Sequence, residues 1–418
     1  MGNKTLDLPC IDPALLRPGL FVVLDLPWFD HNFLFNRFLL ANEADVIALQ
    51  RLCLPAIRYD PARSTSYPLR IPKPPSPASA PDPAETIRRA EKKIRIQQVR
   101  AQHDRLARSE RCYANTADEA RTLMPRLFWA PNQAAIEATA WIKAVDNGPL
   151  ADSGVVLHLM NQNQGDEGGA GHALNVVILS RLLGRALNLS GPELDDLCLG
   201  ALLHDIGKSR VSRGVLMKPE EERKAYEHDF VRQHAEYGEA IAIELGLPTS
   251  VQKIIRHHHE HHDGSGYPDG LQGSAISQLT RIVAIANRYD NLCHSQDPAK
   301  SLIPTEALAV MYRRESNRYD TALLTALIKC LGVYPPGSLV ALNNGTIALV
   351  IDINEHKLLR PTILLYDPHT PRREAHIVAL AEVPELSIEK VLRPAECSSA
   401  MLEYLLPNGL PAANRKPN

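Results

Sequence analysis

The spacing of apolar residues divides the chain into regions with different predicted structures. Between residues 116 and 331, apolar side chains recur every three to four positions, which predicts a long all-helical domain. Short apolar runs bounded by turn residues lie near both ends of the chain and predict strands. We therefore expect a mainly α protein, in which a helical bundle lies between a small N-terminal α+β domain and a short C-terminal β-rich appendage.

The small α+β domain is predicted at residues 1–66. Apolar positions between residues 43 and 53 follow Asn42, a good N-cap residue, and predict a helix. Strands are predicted at residues 21–26, 33–40 and 56–59. Residues 67–84 are rich in proline, which lacks the backbone N–H that helix and sheet interiors need, so this segment is predicted to be a linker.

Three further regions follow the linker. We expect connector helices at 85–154, the helical domain at 155–332 and a β-rich extension at 333–418. Residues 85–111 contain nine Lys and Arg against four acids and few apolar residues, which favours a solvated connector helix over a nucleic-acid-binding arm. In the extension, Asn344-Gly345 between two apolar runs predicts a β-hairpin, and residues 362–366 predict a further strand.

The composition excludes several classes of function. The chain has 418 residues, of which 44% are hydrophobic, enough for a sizeable core. With 46 Lys and Arg against 48 Asp and Glu, no overall field attracts a nucleic acid polymer or an anionic membrane. No apolar run is long enough to span a membrane and no signal peptide is recognisable, so we expect a cytoplasmic protein. The seven cysteines are scattered, which argues against a disulfide framework and a thiolate zinc site.

The densest chemical feature is the segment from His257 to His262, in which five of six residues are histidine. Imidazole is a common ligand of first-row transition metals, and such a density is unusual for a surface or an apolar core. The following Asp263-Gly-Ser-Gly-Tyr-Pro268 is a glycine-rich turn that can bring the backbone close to a bound ligand. We interpret the segment as part of a metal site. The alternative is a His-rich tract with incidental metal affinity.

Other residues that can bind metal occur on further predicted helices of the same domain. They are His172, His204, Asp205, His234, Asn287 and Asp290. Helical bundles build metal sites from inward-facing side chains on successive helices. If the substrate is a phosphodiester, two divalent ions about 3.5–4 Å apart can activate a water and hold the phosphoryl oxygens. One carboxylate must bridge the two ions, and Asp205, embedded among the histidines, is our candidate.

Lys208 is the second candidate catalytic residue beside Asp205. It follows His204 by one helical turn, so its ammonium group is placed to contact a phosphate oxygen. The alternative is an ordinary lysine that complements the dipole at a helix end.

Taken together, these motifs resemble the HD-GYP family of bacterial cyclic di-GMP phosphodiesterases, a branch of the HD phosphohydrolases. The resemblance spans about residues 165–332 and rests on His172, His204-Asp205-Ile-Gly-Lys208, His234-Ala-Glu-Tyr-Gly238, His258-His259-Glu260, Asp263-Gly-Ser-Gly-Tyr-Pro268 and Arg281-Ile-Val-Ala-Ile-Ala-Asn287-Arg-Tyr-Asp290. The N-terminal segment resembles the domain of unknown function that is often fused ahead of HD-GYP. That likeness rests on Leu16-Arg-Pro-Gly19, Asp25-Leu-Pro-Trp28 and His31.

The resemblance implies an HD-type helical bundle that holds two divalent ions, typically iron or manganese, and hydrolyses cyclic di-GMP to linear pGpG or GMP. One ion would be held by His172, His204, Asp205 and the residue at 287, and the other by Asp205, His234, His258 and His259. Substrate contacts are expected from Lys208, Asp263, Gly264, Gly266, Tyr267, Pro268 and Lys300. The remaining histidines, His257, His261 and His262, match no ligand position and are interpreted as outer residues of the site or as surface residues.

Three positions depart from the family pattern. Asn287 stands where the family has an Asp ligand, and an amide lacks the negative charge that offsets a dication, so we expect weaker metal binding there. Asp290 could compensate, as a ligand or through a neighbouring ligand, or could serve only as a buried hydrogen-bonding residue. Gly168 replaces the Glu that binds a third ion in some members, which favours two ions, although Glu167 is adjacent. The cationic segment after the last motif is reduced to Lys300, which is expected to weaken the grip on substrate.

Three functions therefore remain open at this point. The leading hypothesis is a metal-dependent phosphodiesterase acting on cyclic di-GMP. The alternative is a catalytically weakened or inactive module that binds the nucleotide or a partner protein such as a diguanylate cyclase. The third is an HD phosphohydrolase acting on another nucleotide. The oligomeric state, including a homodimer, also stays open.

Overall fold

The computed structural model describes residues 8–26, 33, 35–69, 83–147, 160, 169–189 and 191–406. The chain divides into two compact units, Met1–Arg88 and Arg89–Asn418. Most of the predicted linker, residues 70–82, lies outside the described residues. None of the described helices combines the length and the hydrophobicity that crossing a lipid bilayer requires.

The N-terminal unit contains a four-stranded antiparallel sheet in the order β1-β4-β2-β3. Its strands are β1 Cys10–Ile11, β2 Phe21–Val23, β3 Arg37–Leu39 and β4 Ile57–Tyr59. The helix α1, Glu43–Gln50, begins after Asn42, whose side chain accepts a hydrogen bond from the Asp45 N–H at 3.1 Å. The predicted helix and strands are confirmed with shorter bounds. Strand β1 was not predicted because two residues show no readable alternation of apolar and polar positions.

Helices follow from Pro83 to Leu331, as the apolar spacing predicts. They are α2 Pro83–Trp129, α3 Pro131–Asn147, α4 Ala170–Ala186, α5 Pro192–Leu203, α6 Arg213–Leu216, α7 Ala225–Arg232, α8 His234–Glu244, α9 Thr249–His257, α10 Gln278–Cys293, α11 Pro304–Arg313 and α12 Thr321–Leu331. One apolar core runs through this bundle, and α4 and α5 contribute several fully buried leucines, including Leu174, Leu183 and Leu197. Burial of each such leucine stabilises the fold by roughly 1.5–3 kcal/mol.

A five-stranded antiparallel sheet in the order β8-β7-β6-β5-β9 follows the bundle. Its strands are β5 Leu339–Leu342, β6 Ile347–Asp352, β7 Thr362–Leu365, β8 Ile377–Ala379 and β9 Ile388–Leu392, and the helix α13 Ser399–Leu405 comes last. The predicted hairpin is confirmed, with Gly345 at a φ of 81° in its turn, a conformation that glycine adopts easily. The predicted fold class, mainly α with a small β-containing region at each end, is also confirmed.

Candidate metal centre

All the predicted ligands except Asn287 lie at or near helix ends in the bundle. His172 is near the start of α4, and Asn287 lies within α10. The others are at helix ends: His204 and Asp205 follow α5, His234 begins α8, and His258 and His259 follow α9. Helix ends leave backbone carbonyl groups without intrahelical partners, which matters for how the histidine rings are held.

Glycines allow two segments of the site to approach closely. Asp205 is followed by the short 3-10 turn Ile206–Arg210, and a Cβ on Gly207 would overlap the backbone of His234 and of Gly238 in α8. This close backbone contact brings His234 beside Asp205, with Nε2 of the histidine 3.4 Å from Oδ1 of the carboxylate. The His-Asp-Ile-Gly motif therefore has two roles. Its His and Asp are candidate metal ligands, and its glycine allows the turn to pack against α8.

The carboxylate of Asp205 divides its two oxygens between two groups of histidines. Its Oδ2 atom lies 3.4 Å from Nε2 of His204 and 3.9 Å from Nε2 of His172. Its Oδ1 atom lies 3.4 Å from Nε2 of His234 and 3.7 Å from Nε2 of His258. Among the described residues, the buried Oδ1 atom has no hydrogen-bond donor. This is the arrangement expected of a carboxylate that bridges two ions.

Two overlapping ligand sets result from this division. One consists of His172, His204 and Asp205, and the other of Asp205, His234, His258 and His259. Within each set, one ligand atom per residue lies within 4.8 Å of every other. The structure thus brings together every predicted His and Asp ligand.

Each of four histidine rings is oriented by a hydrogen bond from its Nδ1 atom. The carbonyl oxygens of Ala201, Val231 and Ile255 lie 2.8, 2.6 and 2.8 Å from Nδ1 of His204, His234 and His258, respectively. Each carbonyl belongs to the last turn of a helix, where it lacks an intrahelical partner. The fourth ring, His172, has Nδ1 2.6 Å from Oδ2 of Asp290. Because these oxygens only accept, Nδ1 carries the proton and Nε2 presents its lone pair to Asp205.

The Nε2 atoms of these histidines face each other in two pairs at short distance. The Nε2 atoms of His172 and His204 are 3.2 Å apart, and so are those of His234 and His258. With both Nδ1 protons already donated, neither Nε2 atom of a pair is a donor to the other, so the contact favours a cation between them. Two nitrogens bound at about 2.1 Å to one ion in adjacent positions are about 3.0–3.4 Å apart, so the residues fit a divalent metal centre.

The protonation states also suit metal ligands. Burial lowers the pKa of His234 and holds the pKa values of His258 and His259 well below the ordinary histidine value, which keeps these rings neutral. Burial alone would raise the pKa of Asp205, but the neighbouring Lys208 and His204 outweigh it and hold that pKa well below its usual range. Neutral imidazoles and an ionised carboxylate are the ligand forms.

Asp290 contacts His172, and both of its carboxylate oxygens accept hydrogen bonds from other side chains. Its side chain is fully buried, and its Oδ1 atom accepts hydrogen bonds from Asn175 Nδ2 and His294 Nδ1, both at 2.8 Å, while Oδ2 accepts from His172. Burial would raise the pKa of Asp290, but His294 and His172 lower it, so it stays ionised. The nearby Asn287 is 5% exposed, and its Oδ1 atom accepts a hydrogen bond from Asn291 at 2.6 Å.

The glycine-rich loop covers one side of His259. The ring of Tyr267 stacks on that of His259 with centroids 4.6 Å apart and planes inclined by 17°. A Cβ on Gly266 would overlap the backbone of residues 259–261, so only glycine allows this approach. The Tyr267–Pro268 peptide bond is cis, and Gly264 has a φ of 81°. Burial raises the pKa of Tyr267, so its hydroxyl stays protonated and can donate a hydrogen bond.

Two other predicted contact residues are engaged in ion pairs. Lys208 Nζ lies 2.5 Å from Asp205 Oδ2, with 42% of the lysine side chain exposed. Lys300 is paired with Glu221 and is 53% exposed. Because both lysine side chains retain substantial exposure, their ammonium groups can change partners at low cost.

Asp263 serves the loop itself. Its Oδ1 atom accepts hydrogen bonds from the N–H and the hydroxyl of Ser265 at 3.0 and 2.6 Å, and Oδ2 accepts from Asn317 at 2.8 Å. The carboxylate is therefore occupied within the turn, as is common for Asp in turns.

The histidines outside the ligand sets support the same loop. His257 Nε2 lies 2.8 Å from Asp269, which also forms a bidentate pair with Arg256. His261 Nδ1 lies 2.9 Å from the Ser265 hydroxyl. The buried Nδ1 atom of His262 has no partner in the described part of the chain.

Two contributors to the site had no assigned role from the sequence. Glu260 is 2% exposed, and its oxygens accept the backbone N–H groups of Asp269 and Leu271 at 2.7 and 3.0 Å, which anchors the loop. Asn175, one turn after His172 on α4, donates to Asp290. A polar residue inside an otherwise apolar helix was the available signal for Asn175.

The sequence matches two known protein families. Residues 156–323 match the family described as HD domain, and residues 9–135 match the domain of unknown function DUF3391. These two matches together confirm the expected pairing of an HD-type domain with an N-terminal domain of unknown function.

The chain is similar to several named proteins and, separately, to several solved structures. The chain is 29% identical over 363 residues to a protein of Pseudomonas aeruginosa named cyclic di-GMP phosphodiesterase PA4108, covering 84% of this chain and 83% of the relative. It is 36% identical over 167 residues to 3'3'-cGAMP-specific phosphodiesterase 3 of Vibrio cholerae, covering 40% of this chain and 36% of that relative. Among solved structures, Bd1817 from Bdellovibrio bacteriovorus, described as an HDGYP protein, aligns with a TM-score of 0.46 and 18% identity over 77% of this chain and 98% of the other. Residues 156–323 are therefore similar to HD domains, and residues 9–135, ahead of them, to the DUF3391 domain.

Proposed function

We propose that the chain is a metal-dependent phosphodiesterase that hydrolyses cyclic di-GMP to linear pGpG or GMP. The division of the two Asp205 oxygens between two histidine sets carries this proposal, because a bridging carboxylate serves a binuclear centre for phosphoryl chemistry. The name of the Pseudomonas aeruginosa relative, which aligns over 84% of this chain, supports the choice of cyclic dinucleotide.

The proposed ligands are the two sets of His and Asp residues, to which we add Asn287 because the resemblance places a ligand at that position. We assign one ion to His172, His204, Asp205 and Asn287, and the other to Asp205, His234, His258 and His259, with iron or manganese as the metal. When bound, two such ions supply a water of lowered pKa and positive charge for the phosphoryl oxygens. The lowered pKa values of His234, His258 and His259 keep these rings neutral, and the lowered pKa of Asp205 keeps it ionised, so this donor set is ready near neutral pH.

The chain's own residues would then bind and orient the dinucleotide. Lys208 would exchange part of its bond with Asp205 for a phosphate oxygen, which its exposed ammonium group permits. Tyr267 would donate its hydroxyl, and the Gly264-to-Pro268 backbone would border the substrate. Lys300 would offer a further cation. For Asp263 we propose a role in shaping this loop, because both its oxygens are occupied there.

Two alternatives make distinct predictions. A non-catalytic module would bind the nucleotide or a partner such as a diguanylate cyclase without turnover, and Asn287 is the residue that motivates this alternative. A different cyclic dinucleotide as substrate is motivated by the Vibrio cholerae relative, which is named for 3'3'-cGAMP.

The test is hydrolysis by the full-length protein, purified without oxygen and loaded with Fe²⁺ or Mn²⁺. Cyclic di-GMP and 3'3'-cGAMP are supplied in parallel and the products are separated by chromatography. We expect linear product from cyclic di-GMP and none from an Asp205→Asn variant. If the native chain forms no product while Asn287→Asp hydrolyses, the claim for the native chain fails. Nucleotide binding that survives His204→Ala without any turnover would establish the non-catalytic module.

A further inference from the structure

A tyrosine of the long helix α2 reaches the metal centre through buried side chains. Tyr113 is 4% exposed, and its hydroxyl oxygen lies 2.6 Å from Oδ1 of Asn175. Asn175, itself 3% exposed, places Nδ2 2.8 Å from Asp290 Oδ1. Asp290 in turn accepts from His172 Nδ1 at 2.6 Å. Three consecutive hydrogen bonds thus join α2 to a candidate metal ligand.

The donor and acceptor properties of these side chains fix the direction of each hydrogen bond in this series. An ionised Asp290 can only accept, so Asn175 must turn its amide N–H toward it and its amide oxygen toward Tyr113. The Tyr113 hydroxyl is then the donor to that oxygen. Reversing the amide would place two oxygens face to face at the buried carboxylate, which is strongly unfavourable. Each side chain therefore has a single satisfied orientation.

We propose that Tyr113 and Asn175 are positioning residues for the metal centre. They hold the Asp290 carboxylate where it orients the His172 ring, so that Nε2 of His172 stays directed at Asp205. The inference rests on the proposed function in that His172 is taken as a metal ligand. Tyr113 itself is not a member of either ligand set and acts only through Asn175 and Asp290.

Loss of the Tyr113 hydroxyl is expected to loosen this orientation without removing it. The buried Asn175 oxygen would lose its donor, and the amide would be fixed by its one hydrogen bond to Asp290 instead of by two bonds. Asp290 would keep its bonds from His172 and His294, so the ring would be less well fixed rather than free. Residues that directly orient metal ligands typically affect affinity about 10–100-fold, so one step further away we expect about a 3- to 10-fold effect.

The experiment is a calorimetric Mn²⁺ titration of the full-length protein and of Tyr113→Phe, without nucleotide. We expect Tyr113→Phe to weaken one of the two Mn²⁺ sites about 3- to 10-fold and to leave the other unchanged. The control is Tyr289→Phe, because Tyr289 is also buried, at 2% exposed, and its side chain interacts with Cys293 on its own helix. That variant should bind both ions as the native chain does. Thermal unfolding of both variants in EDTA confirms that they fold.

A second arm separates positioning from general loosening of the fold. In a His172→Ala background the affected site is already lost, so adding Tyr113→Phe should not change the affinity for the remaining ion. Unchanged Mn²⁺ affinity in Tyr113→Phe alone, an equal loss in Tyr289→Phe, or a further loss in the double variant would each overturn the inference. Because Mn²⁺ binding is read without substrate, a chain that shows the expected pattern yet hydrolyses nothing contradicts the proposed function and leaves the positioning role standing.

Discussion

At the scale of single residues, Asn287 as a proposed ligand would bring no negative charge to the first ligand set. Asn and Asp have nearly the same shape, but only the carboxylate offsets the charge of a dication. The Asn287 side chain is buried, and its oxygen already accepts a bond from Asn291, so the position is polar and organised without an ion. The neighbouring Asp290 does not replace the missing charge as a ligand, because its oxygens are occupied by His172, Asn175 and His294.

We predict that Asn287→Asp binds Mn²⁺ about tenfold more tightly or better, because it adds one negative charge to the set. The same variant should unfold at a lower temperature than the native chain in EDTA, because a second buried carboxylate then lies on the same helix as Asp290. With saturating Mn²⁺, Asn287→Asp should instead unfold at a higher temperature than the native chain. Thermal unfolding with and without the metal measures both effects.

The matched control for this prediction is Asn344→Asp, the same change in the exposed turn between β5 and β6. It should show no dependence on Mn²⁺. An Asn287→Asp variant with native-like behaviour in both conditions would remove residue 287 from the ligand set.

Lys208 offers a second test at this scale. We predict that Lys208→Ala keeps nearly all its metal but loses about 10–100-fold in kcat/KM, because the lost ammonium group is assigned to phosphate. Metal analysis and steady-state hydrolysis measure the two quantities, with the exposed Lys253→Ala as control. A loss of metal that matches the loss of activity would instead assign Lys208 to holding Asp205, with which it pairs at 2.5 Å.

At the scale of secondary structure elements, the ends of helices orient the ligands. Helices α5, α7 and α9 each end close to a histidine whose Nδ1 donates to a carbonyl in the last helical turn. One interaction therefore satisfies a carbonyl that the helix leaves free and directs Nε2 into the centre. The positions of these helix ends could be read from the sequence only approximately, because helix boundaries are set by packing and capping as well as by propensity.

Close packing between elements is tested by Gly207→Ala. Because a Cβ at this position would overlap backbone atoms of His234 and Gly238, the turn and α8 must move apart. We predict a loss of roughly 3 kcal/mol in the free energy of unfolding, together with weaker metal binding at the His234 set. Urea unfolding and Mn²⁺ titration measure these losses.

Gly214→Ala is the control for the steric argument. Gly214 lies within the short helix α6, and the nearest atom that its Cβ would meet is the Ser212 hydroxyl oxygen at 3.7 Å. This variant should be neutral or slightly more stable, because alanine favours helix. Equal destabilisation in the two variants would show that the cost comes from the backbone and not from the contact with α8.

At the scale of the whole molecule, the buried histidines link folding to pH. Their pKa values are lowered in the folded chain, most by burial, whereas in the unfolded chain histidine titrates near 6.5. As pH falls below about 6.5, the unfolded state takes up protons that the folded state does not, so stability decreases. His294 acts in the opposite sense, because Asp290 outweighs burial and raises its pKa.

We predict that metal-free protein loses stability as pH falls from about 7.5 to about 5.5. The free energy of unfolding in urea with EDTA, measured across this range, gives the slope. A His258→Gln variant, which removes one neutral buried histidine, should show a shallower slope. A native chain whose stability is constant or rises toward acid pH would contradict the assignment of neutral histidines in the centre.

The fold and the site follow from the sequence to different degrees. The helical domain and the two β-containing ends followed from apolar spacing, because burial of one face imposes that spacing on any helix or strand. Short strands such as β1 and β8 were missed, since two or three residues carry too little pattern. The ligand types followed from side-chain chemistry, because imidazole and carboxylate groups are common ligands of divalent metal ions.

The sequence by itself determined which residues could bind metal and which helices would carry them, because ligand chemistry and apolar period are local properties. Tertiary structure alone decided which partners each carboxylate oxygen contacts. It assigned one oxygen of Asp205 to each histidine set, occupied Asp263 within its turn, and made Asp290 an orienting partner of His172. It also linked Tyr113 to that partner through Asn175. These outcomes depend on distances between groups up to 118 positions apart in the chain, which no local pattern specifies.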